Sequence, residues 1–328
     1  MIIITGGAGF IGSNIAAALQ EQGYKDIAIV DVLGTDDKWK NLAKRELAAL
    51  VPPGRLNALL EENVGKIEAI IHMGAISTTT ETDADLIIST NFELSWQLWE
   101  FATLTRVPFI YASSAATYGD GSLGFDDDDS LHHLNNLRPL NAYGWSKALF
   151  DRKIAREVQE KRPTPPQYVG LKFFNVYGPN EYHKGGQKSV VAHMYPYVKA
   201  GEPVRLFKSY RPEYEDGGQL RDFVWVGDVT DVILWMLRHP NVSGIFNVGS
   251  GEARSFADLA RATWAAMGKE AQITYVDMPE TLRDKYQYYT QANLTKLRSV
   301  GYSAPMTRLE EGVRRYVQDY LDTADTYR

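Results

Sequence analysis

The sequence predicts an α/β fold built on a parallel, doubly wound sheet. Short apolar runs alternate with segments of helical period, a glycine-rich turn follows the first run directly, and 44% of the 328 residues are hydrophobic. A chain of this length and apolar content can bury one large core or two adjoining ones. Strand–helix–strand units are right-handed, so we expect a sheet covered on both faces, with ligand sites at the carboxyl ends of its strands.

Five apolar runs predict strands, and three segments of helical period predict helices. The strands are expected at residues 2–5, 27–31, 69–72, 109–113 and 168–174, and the helices at residues 13–22, 87–105 and 142–160. Beyond residue 174 the alternation stops and Gly and Pro become frequent, which indicates a second, smaller unit.

We therefore predict a first domain at residues 1–174 and, at residues 175–328, mainly a substrate-binding domain. Segments 223–248 and 286–294 are expected to return to the first domain, so the two domains interleave. The apolar stretches 223–229 and 245–248 are the predicted returning strands.

The composition excludes several classes of function. A formal net charge of −6 and a pI near 5.6 leave no basic face for nucleic acid. With no cysteine the chain forms no thiolate metal site, and the acidic run at 126–129 is interpreted as solvated loop charge rather than a metal site. No apolar run approaches the roughly 18 residues that span a bilayer, and residues 1–5 lack the pattern of a signal peptide. We expect a cytoplasmic protein.

A glycine-rich turn follows the first predicted strand. Residues 5–12 have the sequence TGGAGFIG, which spaces Gly6, Gly9 and Gly12 as a dinucleotide-binding turn requires. Glycines there let a pyrophosphate approach the backbone, and the helix that follows offers its free N–H groups to the anion. Asp31, at the end of the second predicted strand, stands where the adenosine ribose is bound. These features predict that the first domain is an NAD(P)-binding Rossmann domain.

Asp31 and Lys38 bear on which dinucleotide binds. A carboxylate accepts a hydrogen bond from the ribose 2′-hydroxyl of NAD and repels the 2′-phosphate of NADP. Lys38 either neutralises that phosphate or is an exposed lysine in a charged helix start. These two residues alone leave NAD and NADP open.

Three residues form a candidate catalytic set. Tyr143 and Lys147 are spaced i and i+4 at the start of a predicted helix, so both side chains project from one face. The lysine favours the phenolate form, which makes the tyrosine a candidate general base. Ser114 lies in the string ASSAATYG at residues 112–119, at the end of the fourth predicted strand, where open-sheet sites form.

Taken in order, these motifs resemble the extended short-chain dehydrogenases that act on sugar nucleotides. FNVYGP at residues 174–179 and RDFV at residues 221–224 continue the resemblance, which covers nearly the whole chain. More specific strings are similar to the heptose 6-epimerase family. They are MGA at 73–75 with STTTE at 77–81, HKG at 183–185, and YQ at 286–287 with TQA at 290–292.

The resemblance implies an isomerase that inverts C6 of ADP-D-glycero-β-D-manno-heptose by transient oxidation and reduction, for the supply of lipopolysaccharide core heptose. The implied cofactor is bound NADP, with NAD as the alternative, and the implied assembly is a homo-oligomer. Tyr143 and Lys184 would be the two acid–base residues, one for each face of the planar intermediate. Lys147 would orient the nicotinamide ribose, and Ser114 would assist at the reacting oxygen.

The resemblance also assigns the residues of the two ligand sites, and it implies no metal. For the cofactor they are Gly6, Gly9, Phe10, Ile11, Gly12, Asp31, Val32, Lys38, Met73, Gly74, Ala75, Ile76, Ser77, Asn91, Tyr143, Lys147 and Val176. For the nucleotide sugar they are Ser114, Asn175, Lys184, Gly186, His193, Phe207, Lys208, Ser209, Tyr210, Arg221 and Tyr286.

Two of these assignments carry alternatives. The guanidinium of Arg221 can grip a diphosphate with two hydrogen bonds, or it pairs with a carboxylate such as that of Asp222. Asn91 is expected either to contact the cofactor or to hold the neighbouring loop.

The chain departs from the family pattern at four places. Gly186 replaces an expected substrate-binding serine, and residues 209–219 are longer than the usual connection. Val32 and Pro53 replace an asparagine and a lysine expected at the cofactor.

Other functions fit the shared motifs. The first alternative is a 4-epimerase or reductase of another nucleotide sugar, and the second is an inert dinucleotide-binding sensor on the same fold. A sugar 4,6-dehydratase is disfavoured, because Ala115 and Ala116 stand where such enzymes carry an acidic pair.

Overall fold

A parallel sheet with helices on both faces is the main element of the computed structural model, which describes residues 1–283 and 286–328. The strands are β1 (Ile2–Thr5), β2 (Ile27–Val30), β3 (Ala49–Val51), β4 (Ala69–His72), β5 (Phe109–Ser114), β6 (Tyr168–Phe173), β7 (Asn175–Tyr177), β8 (Val204–Phe207), β9 (Leu220–Trp225), β10 (Gly244–Val248), β11 (Ala253–Ser255) and β12 (Ile273–Val276). The α-helices are α1 (Phe10–Glu21), α2 (Leu56–Glu62), α3 (Ala84–Ile88), α4 (Leu94–Thr105), α5 (Leu131–Asn136), α6 (Ala142–Gln159), α7 (Val190–Ala200), α8 (Val226–Arg238), α9 (Phe256–Ala266), α10 (Glu280–Arg283), α11 (Thr295–Ser299) and α12 (Leu309–Tyr316). None of these described helices combines the length and the apolar character that a membrane crossing requires.

The main sheet has the strand order β10-β6-β5-β4-β1-β2-β3, and all its pairs are parallel. The order reverses between β1 and β4, which places a crevice at the carboxyl ends of these two strands. The predicted fold class is confirmed, and the five predicted strands lie within one residue of their predicted ends. The edge strand β3 was not predicted, because its three apolar residues, Ala49–Val51, are too few to show a periodic pattern.

The packing of β1 explains why uninterrupted apolar runs form the central strands. Ile2 and Ile4 pack into a cluster that includes residues of α1 and α8, whereas Ile3 packs into a second cluster with residues of α2 and α4. Successive side chains of a strand point to opposite faces. A strand covered on both faces therefore needs apolar residues at every position.

Two smaller sheets, with strand orders β11-β9-β7 and β12-β8, lie outside the main sheet. Residues 245–248 return to the main sheet as predicted, because β10 pairs with β6. The prediction that residues 223–229 also return to the main sheet as a strand is wrong. After β6 the chain leaves the main sheet, and β7 is the parallel partner of β9 in a smaller sheet. Helix α8 then begins at Val226. The described residues 286–294 form no strand, and the division into domains at residue 174 stays a prediction.

The interpretation of the acidic run at residues 126–129 as solvated loop charge is wrong for two of its residues. Asp127 is buried and accepts a hydrogen bond from the Asn247 N–H at 2.8 Å. Asp129 accepts one from the Ile245 N–H at 3.1 Å and pairs with Lys296 at 2.7 Å. Two of the carboxylates therefore satisfy backbone groups of β10, at the edge of the sheet. Within the described residues, no group of three or more His, Cys, Asp or Glu side chains is arranged to bind a metal ion.

Glycine is required where the turn between β1 and α1 meets the loop after β4. Gly6 has a φ of +66°, and a Cβ added there would lie 2.6 Å from the Cα of Gly74. A Cβ added to Gly12 would overlap backbone atoms of Gly6 and Gly7. The first turn of α1 can therefore sit close to the end of β1 only because these positions lack side chains.

We expect Gly12→Ala to destabilise the protein, although alanine has the higher helix propensity. Propensity alone predicts a gain of about 1 kcal/mol in the free energy of unfolding, whereas overpacking costs about 1–3 kcal/mol. Gly54→Ala is the matched control, because its added Cβ meets no described atom within 4 Å. Urea unfolding measures both variants, and a Gly12→Ala protein as stable as the parent would contradict the packing argument.

Candidate active site

A cavity of about 1690 Å³ occupies the crevice at the carboxyl ends of β1, β4 and β5. It brings together residues assigned to the cofactor, to catalysis and to the substrate. They are Gly6, Gly9, Phe10, Ile11, Gly12, Asp31, Val32, Lys38, Met73, Gly74, Ala75, Ile76, Ser77, Ser114, Tyr143, Lys147, Asn175, Val176, Lys184 and Gly186. Eight other assigned residues are not among the described residues that line the cavity. They are Asn91, His193, Phe207, Lys208, Ser209, Tyr210, Arg221 and Tyr286.

The glycine turn fits the pyrophosphate of a dinucleotide. Helix α1 begins at Phe10 with Gly9 as its N-cap, and no described side chain caps its N–H groups. The first N–H groups and the positive end of the helix dipole therefore remain available to an anion. Because Gly9 and Gly12 also line the cavity, no Cβ at these positions keeps that anion from the backbone.

Asp31 and Lys38 form an ion pair at the cavity wall. Asp31 Oδ1 lies 2.7 Å from Lys38 Nζ, and Asp31 Oδ2 accepts a hydrogen bond from the Ala8 N–H at 2.8 Å. Lys38 Nζ also donates to the Val32 carbonyl at 2.8 Å. The Asp31 carboxylate connects the end of β2 to the glycine turn. The Lys38 ammonium offsets the negative charge of that carboxylate.

Asn91 holds the loop after β4, which is one of its two expected roles. Its side chain is buried, and its Oδ1 accepts a hydrogen bond from the Ile76 N–H at 2.8 Å. Its Nδ2 donates to the Ile76 carbonyl at 2.9 Å and to Ser146 Oγ at 3.0 Å. These bonds turn the amide toward the loop and toward α6, away from the cavity.

His72, which sequence analysis missed, supports the same loop from inside the sheet. Its Nδ1 lies 2.6 Å from Thr5 Oγ1 and its Nε2 lies 2.8 Å from Ser95 Oγ. Burial, assisted by the charge of Lys147, lowers the pKa of His72 to about 3. The ring therefore stays neutral near pH 7 and links β1, β4 and α4. Its partners are distant in sequence, so no local pattern pointed to it.

Ser114, Tyr143 and Lys147 meet in the cavity. Asn141 caps α6 by accepting a hydrogen bond from the Gly144 N–H at 2.8 Å, so Tyr143 lies in the first turn and Lys147 one turn later. Burial raises the pKa of Tyr143, and a hydrogen bond with Ser114 opposes that rise. Burial lowers the pKa of Lys147 to about 8, and the negative charge of Asp151 opposes that fall. The set has the residue types that move a proton at a ligand hydroxyl, but the pKa of Tyr143 is raised, against the expectation that Lys147 favours its phenolate form.

A buried ion pair, also missed by sequence analysis, fixes the elements that carry this set. Asp151 on α6 lies 2.8 Å from Lys172 Nζ on β6, and both side chains are at most 1% exposed. Asp151 accepts a hydrogen bond from Ser113 Oγ at 2.7 Å, and Lys172 donates to Thr117 Oγ1 at 2.6 Å. Because breaking a buried pair leaves an uncompensated charge, these contacts hold the end of β5, next to Ser114, against α6.

Lys184 enters the same cavity from another element, the 3-10 segment Tyr182–Gln187. Its Nζ lies 5.6 Å from the ring centroid of Phe10, at the start of α1. Burial lowers the pKa of Lys184, and the charge of Glu181 opposes that fall. A lysine with a lowered pKa exchanges protons more readily near neutral pH. His193 lies outside the described cavity lining, with its Nε2 3.3 Å from the carbonyl oxygen of Gly186.

Arg221 is nearly buried between two aromatic rings beside the cavity. Its guanidinium carbon lies 5.2 Å from the ring centroid of Tyr286 and 5.7 Å from that of Phe256, which lines the cavity. Asp222 is not its partner, because that carboxylate accepts a hydrogen bond from Ser250 Oγ at 2.8 Å. Within the described residues Arg221 donates to a backbone carbonyl at 2.8 Å and forms no salt bridge, so its charge is available to an anionic ligand.

Residues 209–219 fold back and form a wall next to Arg221. The segment is closed by a hydrogen bond from the Gly217 N–H to the Phe207 carbonyl at 2.9 Å. The four assigned residues in and just before this segment contact residues within the segment or within 277–288. Phe207 packs on Tyr286 (6.4 Å between ring centroids), Lys208 pairs with Asp277 (3.2 Å), Ser209 N–H donates to Asp216 (2.8 Å) and Tyr210 N–H donates to Tyr288 (3.0 Å).

A family model and a curated relative are similar to the chain over most or all of its length. The model of the NAD dependent epimerase/dehydratase family matches residues 2–249. A protein of Fusobacterium nucleatum subsp. nucleatum named ADP-L-glycero-D-manno-heptose-6-epimerase is 49% identical, and the alignment covers 100% of both chains.

Solved structures share the fold. An ADP-L-glycero-D-manno-heptose-6-epimerase of Helicobacter pylori has a TM-score of 0.79 and 29% identity, covering 97% of this chain and 95% of that one. A UDP-glucose 4-epimerase of Thermus thermophilus, solved in complex with NAD, has a TM-score of 0.72 and 26% identity, covering 96% and 97%. The family model, the full-length relative and the glycine turn of the cavity together establish that the chain belongs to the NAD dependent epimerase/dehydratase family.

Proposed function

We propose that this protein inverts C6 of ADP-D-glycero-β-D-manno-heptose to give the L-glycero epimer. The observation that carries the proposal is the presence of two proton carriers, Tyr143 and Lys184, on separate elements of one cavity beside a dinucleotide turn. Full-length relatives named for this epimerase activity, at 43–49% identity, support the choice of substrate.

The cofactor of this reaction is a nicotinamide dinucleotide, which when bound accepts the C6 hydride and returns it. Tyr143 takes the proton of the C6 hydroxyl, while Ser114 hydrogen-bonds to the same oxygen and Lys147 holds the ribose. After the planar carbonyl has presented its other face, Lys184 donates a proton to the oxygen. Two faces therefore use two proton carriers, and the reverse reaction exchanges their roles.

The substrate's nucleotide is bound, in this proposal, by the wall that follows residue 174. Arg221 grips the diphosphate, because a guanidinium forms paired hydrogen bonds with phosphate oxygens. The aromatic rings that flank Arg221 keep it in place and stabilise its charge. Residues 1–174 would then hold mainly the dinucleotide, and residues 175–328 mainly the nucleotide sugar.

For the dinucleotide itself we propose NADP. Asp31 alone favours NAD, since its carboxylate repels a 2′-phosphate, but Lys38 pairs with that carboxylate at 2.7 Å and brings a positive charge to the same wall. Pro53 also lines the cavity and brings no charge, so it cannot replace Lys38 in this role. NAD is the alternative, which the NAD-bound Thermus thermophilus relative supports.

A 4-epimerase acting on a UDP-hexose is the second candidate function. The Thermus thermophilus relative is named as a UDP-glucose 4-epimerase, and the long segment 209–219 is the feature of this chain that supports a different nucleotide. A sugar dehydratase lacks support, because Ala115 and Ala116 follow Ser114 where elimination needs acidic side chains.

We expect the purified protein to interconvert the two C6 epimers of ADP-glycero-manno-heptose without net consumption of cofactor. Proton NMR follows the stereochemistry at C6, and absorbance at 340 nm separates epimerisation from net oxidation. UDP-galactose, UDP-glucose and GDP-mannose serve as competing substrates. Rapid conversion of a UDP-hexose with no action on ADP-heptose would promote the second candidate.

We expect Tyr143→Phe and Lys184→Met each to lower kcat for epimerisation about 100-fold or more, the scale of losing a positioned acid–base group. Both proteins should fold and retain dinucleotide. Lys199→Met is the matched control for Lys184→Met, because Lys199 lies on the neighbouring helix α7, pairs with Asp322 and is outside the described cavity lining. It should keep kcat within about threefold, the scatter expected of a surface change. Near-normal turnover by Lys184→Met with saturating cofactor would refute the role of a second base.

We expect Lys38→Ala to weaken NADP binding about tenfold, the scale of one charge-assisted contact, and to change NAD binding little. The physical reason is that a 2′-phosphate loses its counter-charge and faces an unpaired Asp31. Titration of both dinucleotides against the cofactor-free protein measures the two affinities. Lys40→Ala is the control, because Lys40 pairs with Asp37 and lies outside the cavity lining among the described residues. Equal losses for NADP and NAD would reject the phosphate role.

A further inference from the structure

The two glycines that follow Lys184 give it little packing, although His183 lies 3.3 Å from Asn41 and Gln187 lies 3.3 Å from Thr78. Gly185 has a φ of +54°, and a Cβ added to Gly185 or Gly186 would meet no described atom within 4 Å. Both glycines are exposed. The two glycines therefore do little to fix the Lys184 side chain, which makes the contacts of the residues before it important.

Glu181 provides one anchor for this segment. Its carboxylate is buried and accepts hydrogen bonds from Ser189 Oγ at 2.6 Å and from Tyr316 Oη at 2.9 Å. These bonds tie the start of the segment to α7 and to α12.

Residues 325–328, here called the strap, provide a second anchor. The Tyr182 hydroxyl donates to the Thr326 carbonyl at 2.7 Å, and the rings of Tyr182 and Tyr327 meet edge to face at 5.2 Å. The Arg328 N–H donates to Asn180 Oδ1 at 3.0 Å. The strap therefore contacts the chain at two positions just before Lys184.

The strap is also fastened to the dinucleotide-binding part of the chain. Arg328 Nη2 pairs with Glu21, the last residue of α1, at 2.7 Å, and Asp325 pairs with Lys44 at 2.6 Å. Helix α1 begins at Phe10, whose ring lies under the Lys184 ammonium. The contacts thus close a ring that runs from Phe10 along α1 to the strap and back through Tyr182 to Lys184.

We infer that the strap is a positioning element that holds Lys184 at the distance from the glycine turn at which it can exchange a proton with substrate. This inference rests on the proposed role of Lys184 as the second proton carrier. An ammonium on a glycine-containing segment otherwise samples many positions, and proton transfer requires hydrogen-bond reach. Loss of the strap contacts should therefore lower kcat while leaving the affinities for dinucleotide and nucleotide sugar nearly unchanged.

A double-mutant cycle between Tyr182 and Lys184 tests the inference in the holoenzyme. Tyr182→Phe removes the hydroxyl that contacts the strap and Tyr316 and keeps the ring packing, so kcat should fall about fivefold, with KM within about twofold. Deletion of residues 325–328 should lower kcat about tenfold or more. In a Lys184→Met background, either change should add less than about twofold, because the group they position is gone.

Tyr195→Phe is the matched control. It removes a comparable hydroxyl contact, from Tyr195 to Asp322 at 2.7 Å, that does not touch the segment carrying Lys184. We expect it to leave kcat unchanged in both backgrounds. If the deletion variant fails to fold, Tyr182→Phe decides the question.

Equal effects of Tyr182→Phe on kcat in the parent and in the Lys184→Met background, or no effect in the parent, would refute the positioning role of the strap. Either result would leave the role of Lys184 intact. A Lys184→Met enzyme with full activity would instead refute the second proton carrier and the strap together.

Discussion

The close approach of two backbones, at Gly6 and Gly74, is the constraint on which the cavity depends. A Cβ at Gly6 would lie 2.6 Å from the Cα of Gly74, so a side chain there would push the turn after β1 away from the loop after β4. These loops follow neighbouring strands where the strand order reverses, which is where open sheets bind dinucleotides. Thr5 and His72, hydrogen-bonded at 2.6 Å across the same two strands, support the contact from inside the sheet.

The two proposed proton carriers are supported in different ways. Tyr143 belongs to a long helix that the buried pair of Asp151 and Lys172 ties to β5 and β6. Lys184 belongs to a short segment that contacts α12 through Glu181 and residues 325–328 through Tyr182. A helix keeps its side chains in register through its own hydrogen bonds, whereas a short segment with two glycines needs partners from elsewhere. The second carrier is therefore the more sensitive to distant contacts.

The wall beyond the cavity presents a nearly buried charge. Arg221 is 9% exposed, and its described neighbours are aromatic rings and a backbone carbonyl rather than a carboxylate. Rings stabilise a guanidinium through their π faces but do not use its hydrogen-bond donors. In the proposed function an anionic diphosphate would satisfy those donors, so Arg221 is the residue proposed to favour nucleotide-linked sugars over free sugars. Residues 209–219 fold back beside this arginine, closed by the hydrogen bond from the Gly217 N–H to the Phe207 carbonyl.

The sequence by itself determined the features that local pattern controls: the five central strands, the glycine turn with Asp31, and Tyr143 and Lys147 on one helical face. These follow from side-chain periodicity and backbone geometry within short stretches. Only the tertiary structure decided that β9 belongs to a separate small sheet, that Asp127 is buried against β10, and that the Asn91 amide is hydrogen-bonded to the loop after β4. Each of these depends on a partner far away in sequence, and hydrogen bonding to a distant backbone leaves no periodic signal in the chain.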